Sequence, residues 1–373
     1  MLPVLQREWQ RFCPTPRLWW LAILAPLGLL AVLSWTFTSR VPQGMPLVVV
    51  DYDQTVSSRA LIRSVNSTSS IQVLQVRNEE IEGVDALKSS QAYALMVIPR
   101  RYEQDLHRGV QPTVHVYYNE QMLTAGDLIM RDALTTLATV NAGIAISQGL
   151  SVPMKIQSHN AFNPGMDYWR FLAAPLGLAI LNISMVIVGI DVIGREIREG
   201  TAGQWMAVAR GRVGRALLGK LFIYAVWYSL LGVIGVPLWI MAFDIQFAGS
   251  VLLWGSAWTL MVIASLCLSV TLISAFGNFR MATSIASLVV SPAFAFGGVT
   301  FPSLSMPLGG QVWSFFLPLT QGAQSYIQQV LMDSPVFIFW PHLWVLLFFM
   351  LLPFLLLNRL RHILVTPSCW GEE

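Results

Sequence analysis

Charged residues are scarce in this sequence. Asp, Glu, Lys and Arg make up 12% of the 373 residues, against about 25% in ordinary soluble proteins. Hydrophobic residues make up 55%. The composition excludes an ordinary soluble protein and indicates an integral membrane protein. A net charge of +3 is also too small to argue for nucleic-acid binding.

The residues that build catalytic and metal sites are few as well. The chain has three widely separated cysteines and five scattered histidines, with no His-Glu-x-x-His pair. The stretch Gly214–Leu221 has the spacing of a phosphate-binding loop, but Leu221 stands where that loop needs a hydroxyl to hold magnesium. The sequence therefore predicts no catalytic residue, no metal site and no cofactor site in this chain.

Long apolar runs dominate what is present, and six are long enough to cross a hydrocarbon core of about 30 Å. They are Leu18–Thr38, Phe171–Ile193, Leu221–Phe243, Val251–Phe276, Met281–Phe301 and Phe337–Leu357. The first run exceeds the apolar region of about 7–15 residues in a cleaved signal peptide, so we expect an uncleaved signal anchor. Before it, residues 1–17 place three arginines around Trp9 and Phe12, which predicts an amphipathic helix on the membrane surface.

Residues 39–168 have the patterning of a soluble domain. Short β-branched runs alternate with helical stretches, which predicts βαβ units and a small α/β sheet. The predicted strands are Leu47–Asp51, Ile71–Val76, Tyr93–Ile98 and Thr113–Tyr118, and the predicted helices are Val56–Val65, Glu79–Ser89, Arg101–Arg108 and Met122–Leu150. The predicted fold class is an α-helical integral membrane protein with six transmembrane helices and an α/β extracytoplasmic domain between helices 1 and 2.

Basic residues in the short connections predict the orientation. Twelve Lys and Arg residues lie in the N-terminal segment, the connections after spans 2 and 4 and the C-terminal tail, whereas the connections 244–250 and 302–335 contain none. Cytoplasmic loops carry the excess of basic residues. Both termini are therefore predicted to be cytoplasmic and residues 39–168 periplasmic, in a bacterial inner membrane. The predicted domains are 1–17 (cytoplasmic segment), 18–38 (first span), 39–168 (periplasmic domain), 169–358 (five-span domain) and 359–373 (cytoplasmic tail).

The connection between the second and third spans, Gly194–Trp205, is short and strongly charged. It is either a solvated connection whose arginines hold the topology or a docking element for a soluble partner. A cytoplasmic helix over 195–208 would place Glu196 and Glu199, three residues apart, on one exposed face. These two carboxylates are the predicted centre of a docking surface.

Prolines interrupt the apolar stretch 302–335, so we expect a re-entrant or surface hairpin there instead of one straight span. Within the spans, Asp191 is expected to pair with Arg195, and His342 is expected to be solvated at the outer edge. The remaining polar residues of the spans either line a pathway or hold helices together. They are Asn182, Ser184, Ser265, Ser269, Thr271, Ser284 and Ser291.

Two motifs resemble those of a known transporter family. Arg195-Glu-Ile-Arg-Glu-Gly-Thr201, followed by Gln204, resembles the Arg-Glu-x-Glu-x-Gly-Thr signature of the ABC-2 family of ABC exporter permeases, with Arg198 at the second acidic position. The segment Phe301-Pro302…Met306-Pro307…Gln311…Ser314…Pro318-Leu319-Thr320 resembles the one before the last span in that family. The layout of spans is similar too, so the resemblance covers essentially the whole chain and is closest to permeases linked to drug efflux.

This resemblance implies a permease subunit that exports a drug-like, lipophilic or envelope compound. ATP and magnesium would be bound by a separate ATPase subunit. The implied coupling residues are Arg195, Glu196, Arg198, Glu199, Gly200, Thr201 and Gln204. The implied external gate residues are Phe301, Pro302, Met306, Pro307, Gln311, Pro318 and Thr320. The implied partners are a cytoplasmic ABC ATPase, a second copy or a related permease, a periplasmic adaptor and membrane lipid, but no nucleic acid.

Two other functional classes compete with this interpretation. A membrane-anchored envelope scaffold or receptor would need fewer than the five spans that follow the external domain. A gradient-driven secondary transporter would be favoured by buried charges, yet the interiors of the predicted spans lack acidic residues. The sequence does not identify the substrate.

Overall fold

The computed structural model describes residues 1–38, 43–89, 91–108, 110, 112–118, 123–147, 167–367 and 370. The chain divides into two compact units, Met1–Thr38 with Ala161–Glu373 and Ser39–Asn160. Among the described residues, six helices are long and apolar enough to cross a membrane, as predicted. They are Pro16–Thr36, Trp169–Arg198, Val213–Met241, Val251–Phe276, Phe279–Phe296 and Val336–Val365, named here spans 1 to 6.

The chain begins with an amphipathic helix, α1 (Leu2–Phe12). Leu2 and Trp9 are exposed on one side of α1, whereas Val4 and Glu8 are buried on the other. The helix predicted for this segment is therefore present. Its charged side faces the protein, which the sequence did not predict.

The second unit is a small α/β fold. Its elements are β1 (Met45–Asp51), α2 (Val56–Asn66), β2 (Ile71–Arg77), α3 (Glu80–Lys88), β3 (Ala94–Ile98), α4 (Tyr102–His107), β4 (His115–Tyr118) and α5 (Leu123–Ser147). The sheet order is β2-β1-β3-β4, in which β1 is parallel to β2 and β3, and β4 is antiparallel to β3. The elements begin and end within two residues of the prediction, except at the end of α5, where the predicted helix runs beyond the described residues.

The two central strands of this sheet explain why the unit folds. β1 and β3 are continuous apolar runs because both of their faces are covered, and Val50 and Leu95 are fully buried beside Leu87 of α3. At the end of β1, the Asp51 carboxylate accepts a hydrogen bond from the Ser58 hydroxyl at 2.7 Å. Asp51 also accepts from two backbone amides of the turn that follows. This buried carboxylate holds the turn into α2.

Span 2 lies at the centre of the first unit. In its most apolar window 72% of the residues are buried, compared with 50% in span 4 and 22% in spans 3, 5 and 6. Short helices lie in two of the connections between spans. The connection between spans 2 and 3 contains α6 (Ala202–Val208), and the connection between spans 5 and 6 contains α7 (Leu308–Phe315) and α8 (Pro318–Ser325).

Polar side chains hold the central spans together. Asn182 Nδ2 of span 2 donates to Ser265 Oγ of span 4 at 2.8 Å. Ser269 Oγ of span 4 donates to the Val186 carbonyl of span 2 at 3.0 Å, and Ser184 Oγ of span 2 donates to a carbonyl of span 1 at 3.0 Å. Of the two roles that the sequence allowed for these polar residues, the hydrogen bonds between spans support holding the helices together.

Each of the first three spans contains a π-helical turn: Trp20–Leu24, Trp169–Ala173 and Leu231–Gly235. A proline follows two residues after each turn: Pro26, Pro175 and Pro237. Proline lacks the N–H that would bond to the carbonyl four residues before it, and its ring crowds that carbonyl, so a wider turn relieves the clash. In span 1 the freed carbonyl, that of Ala22, accepts from Trp227 Nε1 at 3.0 Å.

Four of the spans differ from a predicted limit by five residues or more. Span 2 ends at Arg198, five residues after the predicted end, and span 3 begins at Val213, eight residues before the predicted start. Span 5 ends at Phe296, five residues before the predicted end, and is followed by Gly297 and by Gly298 with φ of +73°. Span 6 continues to Val365, so the predicted tail 359–373 begins inside the helix. Residues 302–335 form a 3₁₀ turn, α7, α8 and a π-helical turn, and no straight span, as predicted.

Candidate functional site

The charged connection after span 2 does not form the single helix predicted over 195–208. Span 2 ends at Arg198, and α6 starts only after a turn. Gly200 has φ of +67°, a left-handed conformation that residues with a Cβ adopt only at a cost. The Thr201 amide donates to the Glu196 carbonyl at 2.9 Å. This is the hydrogen bond expected when a glycine in the left-handed conformation ends a helix.

Glu196 is fully buried, so the prediction that it forms an exposed pair with a second carboxylate is wrong. Arg7 of α1 donates to both of its carboxylate oxygens, at 2.8 and 2.9 Å. Arg11 Nη1 donates to Oε1 at 2.9 Å, and Lys220 Nζ of span 3 donates to the same oxygen at 2.7 Å. The Thr201 hydroxyl donates to Oε2. The carboxylate therefore joins α1, span 2 and span 3.

Glu8 of α1 is a second buried carboxylate beside the first. It accepts from Lys220 Nζ at 2.6 Å, from the Tyr224 hydroxyl at 2.9 Å and from Arg195 Nη2 at 3.3 Å. Lys220 is fully buried between the two carboxylates, and its ammonium lies 5.0 Å from the centre of the Trp205 ring in α6. A cation in this position gains from both the carboxylates and the aromatic face.

These groups form one cluster, which we name the ion network: Arg7, Glu8, Arg11, Arg195, Glu196 and Lys220. Four cations surround two carboxylates. Taking an ion out of water costs several kcal/mol unless it is paired and hydrogen-bonded. Each carboxylate here accepts at least three hydrogen bonds. The buried charges are therefore stable while all six residues are present. Removing one of them leaves its partners buried without a counter-ion, which is costly.

Two further arginines extend the contacts to span 5. Arg17 Nη2 lies 2.7 Å from Asp191 Oδ1, so the predicted pairing of Asp191 with Arg195 is wrong, because Arg195 reaches α1 instead. The guanidinium of Arg198 lies 5.0 Å from the centre of the Phe279 ring, and that of Arg17 lies 5.8 Å from it. The first residue of span 5 thus contacts one cation at the start of span 1 and another at the end of span 2.

α6 buries one side and exposes the other. Ala202, Trp205 and Met206 are buried, whereas Val208 is 37% exposed. The exposed residues of the connection form what we name the docking face: Glu199, Gly200, Gln204, Ala207, Val208, Arg210, Gly211 and Arg212. Of the predicted coupling residues, Arg195 and Glu196 are buried, Arg198 and Thr201 are half-buried, and Glu199, Gly200 and Gln204 belong to the docking face.

The predicted gate residues lie in the hairpin between spans 5 and 6. Phe301, Pro302 and Pro307 are exposed at its start. Met306 is buried, and its carbonyl accepts from Gln311 Nε2 at 2.9 Å. The last two of the set, Pro318 and Thr320, lie at the start of α8 and are buried.

His342 of span 6 joins the hairpin to that span, and the prediction that it is solvated is wrong. It is half-buried. Its Nδ1 lies 2.6 Å from Gln321 Oε1, and its Nε2 lies 2.9 Å from Gln328 Nε2. An amide oxygen only accepts and an amide nitrogen only donates. A neutral imidazole that donates from Nδ1 and accepts at Nε2 satisfies both of these contacts.

A family model described as ABC-2 family transporter protein matches residues 16–358 of the chain. The chain belongs to the ABC-2 transporter family. Two relatives carry the name Probable multidrug ABC transporter permease YbhR, from Escherichia coli strains K12 and O157:H7. Each is 29% identical to the ABC-2 chain over 191 residues, which are 50% of this chain and 51% of the relative. The match thus spans about half the length of these relatives.

Of the six residues in the ion network of this ABC-2 chain, the sequence predicted only Arg195 and Glu196 as site residues. Glu8 and Lys220 were not singled out, although each is a charge in an unusual setting. Glu8 is the one acidic residue of α1, between Arg7 and Arg11. Lys220 stands directly before the apolar run of span 3. A lone carboxylate among arginines and a lysine at a membrane edge are the signals that could have placed them in one site.

Proposed function

We propose that this chain is the permease subunit of an ABC exporter in a bacterial inner membrane. It moves a drug-like, lipophilic or envelope compound outward, while a separate cytoplasmic ATPase subunit binds magnesium and hydrolyses ATP. Membership of the ABC-2 family and the name of the YbhR relatives support this proposal. Both termini and α6 face the cytoplasm, residues 39–168 face the periplasm, and a second permease subunit completes the substrate path.

The ion network is the observation that carries the proposal. An ATPase that binds the docking face pushes or pulls on α6, and that force must reach the spans to move a substrate. The network joins the turn before α6 to α1 and to span 3 through buried charges. A movement of α6 is therefore passed to three helices at once.

The docking face provides the contact itself. It presents one acidic side chain, Glu199, an exposed apolar residue, Val208, and the cations Arg210 and Arg212. Mixed charge around an apolar centre is common in interfaces between soluble subunits. The hairpin from Phe301 to Thr320 is proposed as the gate at the opposite end of the path.

The experiment places one arginine on the docking face. Val208→Arg should leave the chain folded, because the side chain is partly exposed, but should remove most of the ATP hydrolysis that co-purifies with the chain from its native membrane. The matched control is Ile81→Arg in α3, which makes the same change at a residue that is 72% exposed. Equal ATP hydrolysis in both variants and the unchanged chain would contradict the proposal.

A further inference from the structure

The C-terminal part of the chain folds back onto α6 through Trp370. The Trp370 backbone amide donates to the Pro367 carbonyl at 3.1 Å, and its ring Nε1 donates to the Ile363 carbonyl of span 6 at 3.1 Å. The ring is half-buried and packs against the apolar cluster that contains Trp205 and Met206 of α6. Trp370 thus adds an aromatic contact to the direct packing of span 6 against α6.

The contact point on α6 is Gly203. A Cβ added there would lie 2.8 Å from Cη2 of Trp370, closer than ordinary packing allows. The ring therefore approaches the helix backbone in a way that only glycine permits. Gly203 has helical geometry and not a positive φ, so the space for Trp370, and not backbone strain, distinguishes this glycine.

The position of Gly203 around α6 shows which side the ring covers. Successive helical residues are rotated by about 100°. Gly203 therefore lies between the buried side of α6, with Ala202 and Met206, and the exposed side, with Gln204 and Ala207. Trp370 covers that flank and leaves the docking face open.

The opposite flank of α6 is held by different contacts. Trp205 lies on that flank and packs beneath the buried ammonium of Lys220. The start of α6 has no side-chain cap, and the hydroxyl of Thr201 donates to Glu196. A helix of seven residues has little stability of its own. Its orientation therefore depends on packing against its neighbours, in which Trp205 and Trp370 provide the aromatic contacts on the two flanks.

We propose that Trp370 is a positioning residue for α6. It fixes the rotation of the helix about its axis, so that force on the docking face moves span 2 and does not merely roll α6 in place. Gly203 is the matching residue that admits the ring. This inference rests on the proposed function, and it assigns the C-terminal segment a part in coupling that the family motifs do not include.

The test uses the full chain purified with its ATPase and reconstituted in lipid vesicles. Ser305→Cys, in a background with the three native cysteines replaced by serine, reports on the hairpin through its rate of reaction with a maleimide. The measured quantity is the change in this rate when ATP and vanadate are added. We expect the change to fall by more than half in Trp370→Ala, with the amount of bound ATPase unaltered because the docking face is intact.

Further variants separate positioning from folding. Gly203→Ala should also reduce the nucleotide response, because the new methyl group displaces the ring although alanine favours a helix. Gly214→Ala, where a Cβ would meet nothing within 4 Å, should respond like the unchanged chain. Trp370→Phe keeps a ring over Gly203 and should restore most of the response.

Two outcomes would overturn the inference: a full nucleotide response in both Trp370→Ala and Gly203→Ala, or faster ATP hydrolysis in Trp370→Ala, which would make the segment a restraint. If Trp370→Ala is not recovered folded, Gly203→Ala and Trp370→Phe decide. A different result, an unchanged chain that binds no ATPase, would refute the proposed function itself.

Discussion

The ion network and the His342 contacts hold helices together by opposite means. In the network, two carboxylates are buried with Arg195 and Lys220 beside the half-buried Arg7 and Arg11. Glu196 alone accepts from three cationic side chains. At the hairpin, a neutral imidazole lies between two neutral amides, Gln321 and Gln328. One junction is ionic and the other has no formal charge.

This difference predicts which junction is rigid and which can open. Separating a buried ion pair leaves uncompensated charges, which costs several kcal/mol. Breaking a neutral hydrogen bond costs about 1 kcal/mol net when water replaces the partner. The ion network is therefore suited to transmit force without coming apart, whereas the hairpin junction is suited to open and close as a gate would.

The largest expected effect is that of Glu196→Gln. The amide keeps the shape of the side chain but removes the charge that faces Arg7, Arg11 and Lys220, so three cations lose a shared partner. We expect the free energy of unfolding to fall by about 3–5 kcal/mol, measured by thermal denaturation of the purified chain in detergent. Unaltered thermal stability would refute the ionic nature of this junction.

His342→Ala should have an intermediate effect. It leaves Gln321 Oε1 and Gln328 Nε2 without the imidazole, which should cost about 1–3 kcal/mol and increase the reaction of Ser305→Cys with a maleimide. His362→Ala on the same helix is the control, because His362 is exposed. If both histidine variants label at the same rate, His342 does not hold the hairpin.

The smallest expected effect is that of Glu199→Gln. Glu199 is exposed on the docking face, and an exposed ion pair with a partner contributes about 0.2–1 kcal/mol. Binding of the ATPase should weaken by at most about five-fold, as measured by titration of the permease with its ATPase, while thermal stability is unchanged. Glu79→Gln, an exposed glutamate of the other unit, should not alter binding. A loss of stability comparable to that of Glu196→Gln would contradict the division between buried and exposed glutamates.

The parts of the fold that were predictable are those encoded locally. Spans follow from the length of apolar runs, and the strands of the small sheet follow from β-branched runs between turn residues. The bounds of span 4, Val251–Phe276, agree with the prediction at both ends. There the helix begins at a capping serine, Ser250, and ends at Gly277 with φ of +68°, two signals that are legible in sequence.

The burial of Glu196 was not predictable from the residues near it in the sequence. Its partner Arg7 is 189 residues away in the chain, so nothing within a helical window distinguishes Glu196 from Glu199. The same applies to His342, whose partner Gln321 lies across the hairpin 21 residues earlier. Whether a polar residue such as Glu196 or Glu199 is buried depends on which distant residues the fold places beside it.

The π-helical turns have a consequence for the torsion of the spans. A turn of this kind holds one residue more than an α turn, and one residue corresponds to about 100° of rotation about the helix axis. In span 2 the turn lies at Trp169–Ala173, at the opposite end of the helix from Glu196. Converting that turn to α geometry would twist the two ends of span 2 relative to each other by about a quarter of a revolution. Pro175 opposes this conversion. The rotation of span 2 about its axis is therefore fixed by the π-helical turn at one end, and this rotation determines the direction in which Glu196 points at the other end.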